Sequence, residues 1–145
     1  MELKVYKCND RAIIPHYATS DSAGLDLHSV ETATLAPGEN HLFHTGLIME
    51  IPSGYFGAVY PRSGLSIKQG LRLSNCVGVI DADYRGEVMV SIYNDSATNK
   101  TIECNDRIAQ MIIQPYVKVS QIECSISDLS KDTERGTGGF GSTGK

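Results

Sequence analysis

Glu87-Val88-Met89-Val90-Ser91-Ile92-Tyr93 decides the fold class. In an extended chain Val88, Val90 and Ile92 point one way and Met89, Ser91 and Tyr93 the other, the period of a strand with one face against a core. Leu42 to Ile51, Gly54 to Tyr60 and Ile108 to Val117 are similarly short and rich in β-branched or aromatic residues. Turn-forming clusters punctuate the chain: Pro37-Gly38-Glu39-Asn40, Pro52-Ser53-Gly54, Asn94-Asp95-Ser96 and Asn105-Asp106. No segment keeps a 3.6-residue apolar period over three turns, so helix is expected to be minor, the best candidate being one or two turns near Ser63 to Gln69. Many short strands with regular turns predict an all-β fold, a jelly-roll-like barrel or sandwich with one short helix. There is no internal repeat and no linker before the final dozen residues. Residues 1–133 are therefore expected to form a single β domain, and residues 134–145 a flexible, glycine-rich C-terminal tail.

At 145 residues the chain can bury one substantial core, and its 41% apolar and 21% charged content is an ordinary globular balance. A net charge of −4 argues against a protein that binds nucleic acid through its phosphates, which would want a basic face. An anionic ligand must be met by a few local basic groups or by a metal. The cysteines Cys8, Cys76, Cys104 and Cys124 are widely spaced, without the pairing of a zinc site, and read as free thiols of a reducing compartment. The N-terminus Met1-Glu2-Leu3-Lys4-Val5-Tyr6 lacks the apolar segment of a signal peptide, and no stretch is long enough to cross a bilayer. The expectation is a soluble, cytoplasmic protein. The histidines His16, His28, His41 and His44 show no ligand spacing.

The last eleven residues, Arg135 to Lys145, carry five glycines, an arginine and Phe140. Glycine loses the most backbone entropy on ordering and has no side chain to bury, so disorder is the default state of such a segment. Its backbone N–H groups, hydroxyls and guanidinium nevertheless suit a polyphosphate, and Phe140 suits a flat ring. The segment reads as a flap that orders over a nucleotide. Gly139, Gly144 and Lys145 also fit G-x-x-x-x-G-K, but no residue follows Lys145 to supply the helix and hydroxyl of a P-loop, and that reading is rejected.

Four further clusters carry candidate chemistry. In Ala23-Gly24-Leu25-Asp26-Leu27, alternation turns Asp26 away from the core, where it reads as solvated surface unless a cation is near. Pro61-Arg62-Ser63-Gly64-Leu65-Ser66 gathers backbone donors, a hydroxyl and a guanidinium at a helix start; it reads equally as an anion site and as an ordinary capped helix. The run from Asn75 to Met89 looks like a hairpin turning around Asp83-Tyr84-Arg85-Gly86, with backbone groups able to read a base edge. In Asn105-Asp106-Arg107-Ile108-Ala109-Gln110-Met111-Ile112, a single amide, Gln110, lies among apolar strand residues and must find hydrogen-bond partners.

In this order and on an all-β background, the five clusters closely resemble the motifs of the homotrimeric deoxyuridine triphosphatases (dUTPases), over about Ser22 to Lys145. The resemblance implies hydrolysis of dUTP to dUMP and pyrophosphate by water attack at the α-phosphorus. It implies that Asp81 orients and deprotonates the water, and that Arg62, Ser63, Gly64, Gln110 and Arg135 hold the phosphates. Ser63 would take a catalytic part as the charge develops. Mg²⁺ would be the cofactor, chelated mainly by the triphosphate, with Asp26 gripping its hydration shell. Asn75, Val79, Ile80 and Asp81 would read uracil, Tyr84 would pack on the deoxyribose with Met89 nearby, and Phe140, Gly141 and Ser142 would close over the nucleotide. Each site would be shared by three subunits, with no nucleic-acid or membrane partner. The resemblance leaves two alternatives. A dCTP deaminase of the same fold would want a carboxylate, usually Glu, beside the pyrimidine. A dUTP-sensing regulatory protein usually carries inserted segments, for which 145 residues leave little room.

Overall fold

The computed structural model describes residues 1–75, 77–130 and 133–139. Phe140, Gly141, Ser142 and the rest of the tail to Lys145 lie outside the described residues, as does Cys76. The strands are β1 (Lys4–Lys7), β2 (Leu25–His28), β3 (Ala33–Leu35), β4 (Asn40–Glu50) and β5 (Tyr55–Tyr60), followed by helix α1 (Ser63–Gln69). Then come β6 (Leu71–Leu73), β7 (Gly78–Ile80), β8 (Glu87–Asn94), β9 (Lys100–Ile102) and β10 (Arg107–Pro115). The four strands and the short helix expected from the sequence are all present, with ends shifted by a few residues.

One sheet has the order β1-β4-β8-β6 and another β2-β10-β5-β7, with β3 and β9 forming a separate pair. Every strand pairing is antiparallel. The alternation of β8 is realised: Val88, Val90 and Ile92 are buried while Met89 is exposed. They join Phe43 and Leu47 of β4 with Leu27, Val59, Ile108 and Met111 of the other sheet in one apolar core. Both sheets thus turn an apolar face onto the same interior, as in a jelly-roll sandwich.

Two irregularities matter for function. The β4–β8 register shifts between His44 and Ile48. Gly46 sits in that shift at φ +68, a conformation that favours glycine, and its N–H donates to Glu87 Oε1 at 2.7 Å. The second is in β10, where Arg107 pairs with His28 but Ala109 pairs with the very next residue back, Leu27. The extra residue lets Ile108 and Ala109 both enter the core while Arg107 stays on the outer face with Asp26 and His28.

The expected hairpin is corrected. β7 pairs with β5 and β8 with β4 and β6, so residues 81–86 carry the chain from one sheet to the other. Asp-Tyr-Arg-Gly composition specifies a turn but not whether the strands it joins pair with each other. Here β8 pairs inside the first sheet, with Val88, Val90 and Ile92 buried in the core shared with the second, while β7 pairs with β5 in the second.

Candidate active site

Asp26 anchors one half of the site. It lies on the face of β2 opposite Leu25 and Leu27, as alternation requires, but it is not the solvated residue expected from the sequence: it is 7% exposed. Arg62 Nε stands 3.1 Å from its Oδ1, and Arg107 Nη1 donates to its Oδ2 at 3.2 Å. The two guanidinium groups cover the carboxylate, and each carries one charge that Asp26 alone cannot fully balance. The register places Gln110 directly across from Asp26. The Gln110 amide donates to the Pro61 carbonyl at 3.0 Å, which answers the demand of an amide in an apolar strand and ties β10 to the loop entering α1.

That loop ends on Arg62, the N-cap residue, which makes no side-chain cap bond. Ser63 and Gly64 are exposed in the first turn, Leu65 anchors the helix in the core, and Gly70 closes it in the left-handed conformation at φ 68. Asp26, Arg62, Ser63, Gly64, Arg107 and Gln110 share one cavity of about 310 Å³. Its excess of guanidinium over carboxylate, together with hydroxyl and amide groups, suits an oxyanion ligand. Arg107 was quoted in the sequence without a role. The signal for it was the run Ile108-Ala109, which breaks strand alternation.

The other half gathers at the sheet-to-sheet connection. Val79, Ile80, Asp81, Tyr84 and Met89 line a second cavity of about 290 Å³, with Leu42 and Glu87, which sequence reading did not select. Asp81 is exposed, and its backbone carbonyl accepts the N–H of Tyr84 at 3.2 Å. The Tyr84 hydroxyl donates to the Glu87 carbonyl at 3.0 Å, and its ring lies so close over Gly86 that a Cβ there would collide with it. Asp81 and Val79 also border a larger space of about 620 Å³, with Asp83, Phe56, Tyr116 and Lys118. Asn75 is exposed before β7, its amide beside Gly78. Arg135 bonds within its own segment, Nε donating to Gly138 O at 2.8 Å.

Thus the structure brings the Asp26, Arg62, Ser63, Gly64 and Gln110 set together, and separately the Val79, Ile80, Asp81, Tyr84 and Met89 set. Among the described residues the two cavities share no lining residue, and Arg135 lines neither.

Histidine chemistry borders both halves. His28 is 8% exposed beside Asp26, and its Nδ1 finds no hydrogen-bond partner among the described residues. Burial pushes its pKa down from the ordinary 6.5, against the pull of Asp26. His44 Nδ1 lies 2.8 Å from Glu87 Oε2, and that hydrogen bond raises its pKa.

Among the described residues no group of three or more His, Cys, Asp or Glu converges as a metal cage. The oxyanion cavity offers the carboxylate of Asp26. That donor set does not fit an all-protein cage, but it fits an ion such as Mg²⁺ that keeps its waters and takes other oxygens from a bound phosphate.

A family model described as dUTPase matches residues 10–144. The deoxyuridine 5'-triphosphate nucleotidohydrolase of Nautilia profundicola is 50% identical over 145 residues, covering all of both chains. That of Solibacter usitatus is 43% identical over all of this chain and 97% of its own. Among solved structures, the dUTPase of Staphylococcus bacteriophage 80alpha with dUPNHPP superposes with a TM-score of 0.88 at 29% identity over 99% of each chain. A match of this extent, on a chain that carries the expected all-β fold, shows that the protein belongs to the dUTPase family.

Proposed function

We propose that the protein hydrolyses dUTP to dUMP and pyrophosphate, in a site completed by other copies of the chain. One observation carries this reading. The oxyanion residues and the base-side residues line different cavities of one subunit and share no lining residue. A nucleoside triphosphate needs both, and a symmetric assembly that sets one copy's Arg62–Gln110 cavity against the next copy's Asp81–Tyr84 cavity supplies both. The family resemblance implies a homotrimer, in which the tail of a third copy would carry Arg135 and Phe140.

In the assembled site Asp81, exposed and free of side-chain hydrogen bonds among the described residues, accepts a proton from the attacking water, which adds to the α-phosphorus as pyrophosphate leaves. Ser63, Arg62, the Gly64 N–H, Gln110 and Arg135 hold the phosphates and stabilise the charge that passes to the leaving group. Asn75 and the backbone of Val79, Ile80 and Asp81 read uracil. Tyr84 and Met89 flank the sugar, and Phe140, Gly141 and Ser142 close over the nucleotide. Mg²⁺ would supply neutralisation of the phosphate charge, and Asp26 would be the residue that holds it, through the ion's hydration shell. The thiols Cys8, Cys104 and Cys124 are free, in keeping with a reducing cytoplasm.

The test is pyrophosphate release from dUTP, dTTP, dCTP and UTP in the presence of Mg²⁺, for wild type and Asp81→Asn. The expected outcome is release from dUTP alone, reduced about 10³-fold in Asp81→Asn with nucleotide binding kept. Ammonia from dCTP would instead identify a deaminase. Tight dUTP binding by a trimer without turnover would leave a nucleotide-sensing protein.

A further inference from the structure

Gly24 precedes β2 without needing to be glycine for its own backbone, since the glycines with positive φ are others: Gly38, Gly46, Gly54, Gly70 and Gly136. What it lacks is room. A Cβ built on Gly24 would meet Gln110 Oε1 at 2.7 Å, Gln110 Cβ at 3.1 Å and Gln110 Cδ at 3.3 Å, and no other residue is nearer. The register explains the meeting. Asp26 pairs with Gln110 across β2 and β10, so residue 24, two positions back on the same face, is the diagonal neighbour of Gln110. Gly54 is the contrast: it has φ +85 and nothing within 4 Å of its missing Cβ, so conformation alone accounts for it.

We propose that Gly24 is a positioning residue for Gln110: its bare backbone gives the Gln110 side chain the one place from which its amide reaches both the Pro61 carbonyl and the oxyanion cavity. Oε1 packs against Gly24 while Nε2 donates to Pro61 O at 3.0 Å. Pro61 directly precedes Arg62, Ser63 and Gly64, and all of these except Pro61 line the cavity together with Gly24 and Gln110. A methyl group at residue 24 must drive the amide back by more than half an ångström to reach ordinary contact. The amide then leaves Pro61 or enters the space where the ligand sits. A misplacement of that size costs about one to two orders of magnitude in rate where the displaced group meets the transition state. The inference rests on the reading that Gln110 serves the phosphates of dUTP.

The experiment is a double-mutant cycle of Gly24→Ala and Gln110→Ala, read in kcat, KM and Tm, with Gly54→Ala beside it. Gly24→Ala should lower kcat/KM for dUTP by about 10- to 100-fold, chiefly in kcat. It should add little in the Gln110→Ala background, where Oε1 and Cδ are gone and the remaining Cβ contact asks for a few tenths of an ångström. Gly54→Ala should lower Tm and leave kcat/KM intact. Multiplicative losses from Gly24→Ala and Gln110→Ala overturn the link between them while leaving Gln110 in the site. Unchanged kinetics in Gln110→Ala overturn the proposal together with the role of Gln110. If Gly24→Ala alone fails to fold, the double variant must fold and turn over as Gln110→Ala does, and its failure overturns the proposal. Should the wild type release no pyrophosphate, the functional reading is what fails. The Tm cycle then decides the contact, and additive losses overturn it.

Discussion

Around Asp26 the charged side chains are bonded to one another across β2, β10 and the loop before α1; around Asp81 the side chains bond to the backbone of their own turn. The first region is held in place by contacts within one copy of the chain, and under the proposed function it is the preorganised part of the phosphate site. The second presents its carboxylate and Tyr84, 40% exposed, to whatever approaches. Preorganisation explains the contrast. Guanidinium groups aimed at a polyanion repel each other and swing freely unless a carboxylate holds them, whereas a general base must be left unpaired to take a proton. In the cradle, function and stability draw on the same contacts. In the turn they are separable.

The largest effect should come from the tail, whose described residues bond to neither region. Arg135 is held by Gly138 O within the tail, and Gly136 N–H by Oγ1 of Thr133, the residue just before the tail. Deleting residues 134–145 should lower kcat for dUTP by about 10³-fold, the loss of an arginine on the transferring phosphates. The midpoint of thermal unfolding should move by less than about 2 °C, since none of the described tail residues belongs to the core. A truncated chain that keeps its turnover removes the tail from the site.

Asp26→Asn should sharpen the comparison by damaging both properties together. The amide keeps the shape but leaves Arg62 and Arg107 facing each other without a counter-charge. Removing one partner of a fully buried ion pair costs about 3–5 kcal/mol, and the partial exposure of both arginines reduces the expected loss to about 2 kcal/mol. Turnover should fall about 100-fold, as the guanidinium groups lose their aim. Urea denaturation beside steady-state kinetics makes the distinction: Asp81→Asn should keep its stability and lose its rate, Asp26→Asn should lose both. Equal stability of the two variants would erase the difference between the regions.

A smaller effect belongs to the turn. The Tyr84 ring lies against Gly86 and its hydroxyl reaches Glu87 O, so Gly86→Ala must lift the ring while Tyr84→Phe removes one exposed hydrogen bond. Gly86→Ala should weaken the preference for dUTP over UTP about tenfold, within the range available to one displaced packing contact. Tyr84→Phe should leave the preference nearly unchanged and cost about 0.5–1 kcal/mol of stability. Parallel kcat/KM measurements on both nucleotides decide whether the ring or the hydroxyl is the discriminating element.

How far these regions were legible in the sequence follows the same division. The alternation of Val88, Val90 and Ile92 and the helix from Ser63 to Gln69 are local signals, and both elements form where expected. The membership of Asp26, Arg62, Ser63, Gly64 and Gln110 in one cavity was reachable only through the family resemblance, because residues 26, 62 and 110 meet through strand register, which no spacing encodes. Arg107 escaped for a local reason: the bulge that turns it outward shows as two successive core residues, Ile108 and Ala109, easily taken for the ragged start of a strand. The sheet-to-sheet path of residues 81–86 was misread as a hairpin because turn composition is the same whether or not the flanking strands pair.

The least effect is expected where the turn is moored to the other sheet. Glu87 begins β8, lines the base-side cavity, and binds both the Gly46 N–H in the β4 irregularity and His44 Nδ1. Glu31 adds a second acceptor nearby, taking the His44 N–H at 3.2 Å and lying 3.2 Å from His41 Nε2. The hydrogen bond to Glu87 raises the His44 pKa above 6.5, so the folded state binds this proton more tightly than the unfolded chain does. The sign follows: the stabilisation is complete below pH 6.5 and disappears as pH rises through the raised folded-state value. His44 is half exposed, which limits the contribution to about 0.3 kcal/mol. His44→Gln should therefore lower the urea midpoint at pH 6 and leave it close to wild type at pH 9. A gap of the same size at both pH values would mean that the imidazole holds Glu87 by packing rather than by charge. The mooring of the turn would then be as insensitive to pH as the Gly46 N–H bond beside it.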